Sequence, residues 1–261
     1  MPAGEERSSE PVIATPSTAT LIRLGPPRAA ARRLFCLPYA GGGVSAYAQW
    51  WRGLPTDVEV VGVQLPGREA RLNDPPLTSI TAMADSAFAA VRTATDLPFA
   101  IFGHSMGALV AFELALRVEG DETLRPPSHV FLSGRRAPGT IEPVADMTAL
   151  EDAEFLAALE FRFGAVTEDV RMQPALLELL VPLLRADVAA VESYRAPLGR
   201  LLHCPVDVCG GLGDMHPRPV ELGDWQAWAQ QPVGVRLFEG DHFYLRPQRG
   251  ALLTWIGATW I

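Results

Sequence analysis

The chain has 261 residues, 48% of them hydrophobic and 20% charged, enough to bury one α/β core of roughly 200 to 250 residues and too few for a second full domain. A formal net charge of −8 and the absence of any basic tract exclude nonspecific nucleic-acid binding, which depends on clustered Lys and Arg. Lysine is missing altogether and all 22 basic residues are arginine, so a Schiff-base lysine, a Walker lysine and a Ser-Lys dyad are excluded from within this chain.

Residues 1–20 are rich in Pro, Ser, Thr and Glu and lack a basic stretch followed by an apolar one. They read as a disordered tail ahead of a single domain over 21–261, not as a secretory signal. Apolar, strand-like runs then recur at 34–37, 58–64, 99–102, 130–133, 206–209 and 235–238. Helix-period segments fall between several of them, at 80–93, 108–118, 219–229 and 248–258. Such alternation predicts an α/β fold, a mostly parallel sheet with helices on both faces and ligands at the C-terminal ends of its strands. One connection breaks the rhythm. Between Gly134 and Leu202 no strand is expected, yet helices are expected near 147–160 and 174–194, so this stretch reads as an insertion. Phe155, Phe161, Phe163 and the run 176–184 pack such a helical subdomain, with a few left to line a pocket.

The longest apolar stretch, 97–116, is broken by His104, Ser105 and Glu113 and is a poor membrane span. Cys36, Cys204 and Cys209 are sparse, odd in number and without C-x-x-C spacing, which suits buried thiols in a reducing cytosol; the expected location is cytoplasmic.

The pentapeptide Gly103-His104-Ser105-Met106-Gly107 has a strand-like run before it and a helix-like run after it. That context makes G-x-S-x-G a nucleophile elbow, in which a sharp turn lifts the serine hydroxyl above the sheet, as in α/β-hydrolase folds. On such a sheet this insertion would form a helical lid. A serine hydroxyl is a weak nucleophile, so Ser105 needs an imidazole to take its proton and an acid to hold that imidazole. In chain order the acid comes after a late strand and the histidine after the last. Asp214, following the run 206–209 through Gly210-Gly211-Leu212-Gly213, is the favoured acid; its alternative is a helix-capping or turn aspartate. Asp207 falls within the strand and Asp224 in the next helix. His242, in Gly240-Asp241-His242-Phe243, is the expected base, with Asp241 a turn former. His104, His129 and His203 read as structural, and His216 lies too near Asp214 in sequence to be an obvious base.

Tetrahedral intermediates need two preorganised donors. The Met106 backbone N–H supplies one, and the Ala40 N–H, in Pro38-Tyr39-Ala40-Gly41-Gly42-Gly43, is the candidate for the other. A phosphate-binding loop is the weak rival, because G-x-G-x-x-G, GK[ST] and a ribose-binding acid are all missing. H-E-x-x-H is missing as well, so neither a metal nor a cofactor is expected.

Beyond the elbow, Leu37 to Gly43, Gln64-Leu65-Pro66-Gly67-Arg68-Glu69, Leu184-Arg185-Ala186-Asp187 with Tyr194, and Gly240-Asp241-His242-Phe243 closely resemble the type II thioesterases of polyketide and nonribosomal-peptide assembly lines. The similarity runs from about residue 34 to 256. It implies an editing enzyme that removes stalled, misprimed or decarboxylated acyl groups from the phosphopantetheine arms of acyl or peptidyl carrier proteins. Ser105, His242 and Asp214 would be its catalytic residues, and the substrate itself carries the phosphopantetheine. It also implies a mobile lid over 142–197 that shapes the acyl chamber. Arg68 and Glu69 either help form this region or brace a loop. Carrier proteins are commonly acidic, as this chain is, so docking would rely on local patches such as Arg135 and Arg136 or on apolar lid contacts. A discrete chain-releasing thioesterase, a small-ester hydrolase and a non-catalytic acyl-ligand binding protein are the competing readings.

Overall fold

Each of the six apolar runs becomes a strand, and a seventh precedes them. The computed structural model describes residues 19–27, 29–139, 146–164 and 172–260. The strands are β1 Thr20–Leu24, β2 Arg32–Leu37, β3 Val58–Gln64, β4 Phe99–His104, β5 His129–Ser133, β6 Val206–Gly211 and β7 Gly234–Phe238. They form one sheet in the order β1-β3-β2-β4-β5-β6-β7, parallel throughout except for β1, which pairs antiparallel with β3. The chain builds outward from β2 to β3 on one side and from β4 to β7 on the other. The crevice between β2 and β4 is therefore the topological switch point, where a ligand site is expected in an open α/β sheet.

The five inner strands, β2 to β6, are largely apolar because both faces are covered, and their residues alternate between two cores. Phe35, Leu37, Val61, Val63, Ile101, Val130 and Leu132 face α1 (Ile80–Val91) and α2 (Met106–Glu119). Leu34, Cys36, Val58, Val60, Ala100, Phe102 and Phe131 face Tyr47, Trp50 and α5 (Arg249–Trp260). Strand β1 went unforeseen because its side chains are only half-buried or exposed, and a short edge strand carries no strong apolar run. Of the expected N-terminal tail, residues 1–18 lie outside the described residues, while Ala19 is buried and Thr20 opens β1.

The expected helix at 219–229 is a 3-10 helix over Pro219–Trp228. Its contacts repeat every three residues, at Leu222, Trp225 and Trp228, which matches a 3-10 turn better than an α-helical one. Trp225 and Trp228 pack on Phe112, and their indole N–H groups donate to the carbonyls of Arg135 and Pro138 at 2.8 and 3.0 Å. That fixes the chain just after β5.

Of the insertion at 142–197, residues 142–145 and 165–171 lie outside the described residues. The remainder holds α3 (Asp152–Phe163) and α4 (Pro174–Ser193), with a small core of Met147, Phe155, Leu159, Leu184 and Val188. Arg185 staples the two together. Its guanidinium lies 4.5 Å over the Phe155 ring and donates to the Thr148 and Leu150 carbonyls and the Asp152 carboxylate. After α4, the Tyr194 hydroxyl donates to Glu113 Oε1 at 2.7 Å, tying this unit to the buried helix α2. Removing that hydroxyl with Tyr194→Phe leaves Glu113 to Arg117 alone; a loss of about 1.5 kcal/mol in denaturant-derived unfolding free energy is expected for a hydrogen bond to a charged group.

Candidate active site

The turn between β4 and α2 is tight enough to require two glycines. A Cβ on Gly103 would lie 2.0 Å from the Gly107 carbonyl oxygen, and one on Gly107 would lie 2.4 Å from that of Leu37. Ser105 sits between them at φ 54°, ψ −117°, in the region L-residues avoid, and its N–H donates to the Ser133 carbonyl at 2.8 Å. The hydroxyl is lifted out of the sheet at the C-terminal end of β4.

Loops after β6 and β7 bring the other two expected residues to it. His242 Nε2 lies 3.0 Å from Ser105 Oγ, and His242 Nδ1 lies 2.8 Å from Asp214 Oδ2. Both partners are buried. Glycines in 210–213 let the two loops close on each other: Leu212 and Gly213 donate to the Phe238 and Gly240 carbonyls at 2.8 Å each, and a Cβ on Gly211 would lie 2.2 Å from the Asp241 carbonyl. The His216 N–H donates to Asp214 Oδ1 at 2.8 Å, so the residue beside the acid holds that carboxylate through its backbone. Such a Ser-His-Asp line can deprotonate the serine as it attacks an acyl carbon and then return the proton to a leaving group.

Other candidates fall elsewhere. Asp207 pairs with His129 at 2.7 Å, beside the first residues of β5 and β6; Asp224 is exposed; His203 meets Glu119 at 3.2 Å. Asp241 accepts from the Phe243 N–H at 2.8 Å, as a turn former does.

Ala40 and Met106 border the same cavity as Ser105 and His242. Met106 is the first residue of α2, where a helix leaves its N–H groups without intrahelical acceptors. The cavity measures about 50 Å³ and is walled by Met147, Leu159, Phe163, Leu184 and Val188 from the inserted helices. Phe163 ends α3 and places its ring 4.9 Å from that of His242. Phe155 is instead buried between the inserted helices and Phe161 is 90% exposed. A wider cavity of about 720 Å³ shares Arg135, Val191 and Glu192 with the first and extends past Thr148 and Tyr194.

Arg68 and Glu69 both act on the loop after β2. Arg68 donates to both carboxylate oxygens of Asp187 on α4, at 3.0 and 2.9 Å, and to the Gly42 carbonyl at 3.1 Å. Glu69 accepts from the Val44 and Ser45 N–H groups at 3.0 and 3.1 Å. Complete burial pushes the Asp187 carboxyl above the usual range, against the pull of Arg68 and the Gly41 N–H. Of the docking patch expected at Arg135 and Arg136, Arg136 is buried and paired with Glu221 at 3.0 Å, whereas Arg135 is half-buried and lines both cavities. Among the described residues no cluster of three His, Cys, Asp or Glu could hold a metal ion, and no helix is long and apolar enough to cross a membrane.

The family model for the Thioesterase domain matches residues 32–259. The gramicidin S biosynthesis protein GrsT of Aneurinibacillus migulanus is 37% identical over 218 residues, covering 83% of this chain and 84% of that protein. Two solved structures are similar throughout. The type II thioesterase BorB from the borrelidin biosynthetic cluster gives a TM-score of 0.83 at 34% identity, covering 92% of this chain and 97% of its own. RedJ, a thioesterase from the prodiginine pathway of Streptomyces coelicolor, gives 0.80 at 34% identity, covering 89% and 87%.

A second histidine lies under the first. His104 is fully buried with its ring 5.0 Å from that of His242, and its Nδ1 lies 2.8 Å from Ser133 Oγ, which in turn lies 2.6 Å from the Tyr244 hydroxyl. Nothing in the residue types foretold this line, since Ser133 and Tyr244 meet it only in space. Burial, with lesser repulsion from His242 and Arg246, holds the His104 imidazole well below its ordinary value of 6.5. The unfolded chain therefore binds this proton first as pH falls. Stability from this group is full above about pH 6.5 and declines below it by up to about 1.4 kcal/mol per pH unit. Urea unfolding between pH 5 and 7 should show that increment of slope in the parent and its loss in His104→Asn.

Proposed function

The chain belongs to the thioesterase family, as a type II thioesterase of the polyketide and nonribosomal-peptide kind, and from that premise we propose that it clears aberrant or stalled acyl groups from the phosphopantetheine thiols of carrier proteins. The observation that carries this reading is the hydrogen-bonded line Ser105-His242-Asp214 opening into an apolar cavity walled by the inserted helices. Ser105 Oγ attacks the thioester carbonyl carbon while His242 Nε2 takes the hydroxyl proton. The Ala40 and Met106 N–H groups receive the negative charge that develops on the carbonyl oxygen. When the C–S bond breaks, His242 passes its proton to the departing sulfur, which leaves as the free phosphopantetheine thiol. Water then attacks the acyl-serine, His242 accepts a water proton and returns it to Ser105 Oγ, and the carboxylic acid departs. Asp214 accepts the Nδ1–H throughout, fixing the tautomer and stabilising the imidazolium. The carrier brings the phosphopantetheine, so the enzyme needs no cofactor of its own.

Met147, Leu159, Phe163, Leu184 and Val188 wall the cavity beside Ser105, so the acyl chain would lie against the inserted helices. The wider cavity beside it offers the arm a polar approach past Arg135 and Glu192. A cytosolic setting suits Cys36, Cys204 and Cys209, which are free and buried.

Intact-mass measurement after incubation with short-acyl and full-length-product carriers tests nucleophile and substrate together. One acyl group on Ser105 and faster turnover of the short-acyl carrier are expected; preference for the full-length product or for simple esters overturns the editing role. Ser105→Ala should lower kcat by about 10⁶-fold and Asp214→Asn by about 10⁴-fold in the same carrier assay, and unchanged turnover in Ser105→Ala removes Ser105 as nucleophile.

A further inference from the structure

The loop that carries the Ala40 N–H is anchored from outside itself, and one anchor comes from the inserted helix α4. The Gly41 N–H donates to Asp187 Oδ2 at 2.8 Å. Asp187 is 0% exposed and its counter-ion, Arg68, only 2%. One turn earlier on the same helix, Leu184 occupies the space over Gly41: a Cβ there would lie 2.5 Å from Leu184 Cδ2, and Gly41 has φ 70°. Leu184 and Val188 also line the acyl cavity. One face of α4 thus walls the chamber and grips the residue next to Ala40.

Stability does not account for this pair. Desolvating two charges costs several kcal/mol, and a buried ion pair is often replaced by apolar residues without loss. Its geometric effect is specific, however: the bidentate Arg68 contact fixes the Asp187 carboxylate, which then fixes the Gly41 amide and, with it, the Ala40–Gly41 peptide plane. Hydrogen bonds weaken steeply off axis, so the orientation of a donor one residue away decides what it contributes to a developing oxyanion.

We infer that Asp187, balanced by Arg68, is a positioning residue that aims the Ala40 N–H at the acyl oxygen from the side of the inserted helices. This rests on the acyl-transfer reading of Ser105 given above. Placement of α4 then acts on the chemical step as well as on the acyl chamber.

Two double variants isolate the contact. Arg68→Met/Asp187→Asn and Arg68→Met/Asp187→Leu both remove the buried charges, but only the asparagine keeps an oxygen to accept the Gly41 N–H. Arg68→Met/Asp187→Ala serves the same comparison if the leucine is not accommodated, with folding checked by thermal melting. Rates are measured with an acetyl-loaded carrier protein and with p-nitrophenyl acetate. The asparagine pair should keep kcat close to the parent. The leucine or alanine pair should lose about 10²-fold in kcat, as for one missing oxyanion donor, with KM and the pH midpoint of the rate unchanged. Affinity for an acyl trifluoromethyl ketone, which forms a tetrahedral oxyanion on serine, should fall in proportion to kcat. Equal kcat in the folded double variants, or a loss confined to KM, overturns the inference. If the parent cleaves the ester and not the carrier-bound thioester, the carrier reading fails, while the comparison on the ester still decides the role of Asp187.

Discussion

The backbone of Ser105 is held in a conformation that costs on the order of 1–3 kcal/mol, and the surrounding packing leaves it no alternative. β4, α2 and the end of β2 meet there at backbone distance, through Gly103 and Gly107. A side chain at either position would push the helix off the strand or off the Leu37 carbonyl. That contact lifts the hydroxyl, starts α2 beside it, and brings the loop after β2 to the same spot. Because β2 and β4 flank the switch point of the sheet, the loops after them open side by side. The placement of Ser105 and of both expected oxyanion donors is thus a consequence of one close approach.

The remaining parts of the site are held by the same device used again. Gly211 lets the acid-bearing loop touch the histidine-bearing loop, and backbone hydrogen bonds from Leu212 and Gly213 seal the contact. Neither Asp214 nor His242 depends on long flexible side-chain reach. Beneath them His104, Ser133 and Tyr244 form a buried polar line, while the Ser133 carbonyl accepts from the Ser105 N–H. One residue at the end of β5 therefore supports the elbow with its backbone and the histidine loop with its hydroxyl. From above, Phe163 covers His242, and Leu184 and Asp187 press on the loop after β2. The inserted helices thus touch both the histidine-bearing loop and the loop after β2.

The five inner strands were legible because each is buried on both faces and so appears as an apolar run between Gly and Pro, whereas β7, a largely exposed edge strand, was legible from Val235, Leu237 and Phe238. β1 was not, since an edge strand packs on fewer neighbours and needs less apolar character. The segment 219–228 was legible as a helix but not as a 3-10 one, because the spacing of Leu222, Trp225 and Trp228 gains meaning only against Phe112 and the chain after β5. Ser105, Asp214 and His242 were readable because loop order along an α/β sheet restricts where each can come from. Arg136 was misjudged as a surface patch, since nothing local to it announces Glu221.

By itself, then, the sequence determined the alternation of strands and helices, the elbow around Ser105, and which acid and histidine follow the right strands. These are local or ordinal properties, set by periodicity, glycine placement and chain order. Only the tertiary structure decided which distant groups meet: Arg68 with Asp187, Asp187 with Gly41, Ser133 with His104 and Tyr244, and Phe163 with His242. Those contacts join residues from 29 to 146 positions apart, and none of them leaves a mark on its partners' own neighbours in the chain, so only folding brings the pairs together.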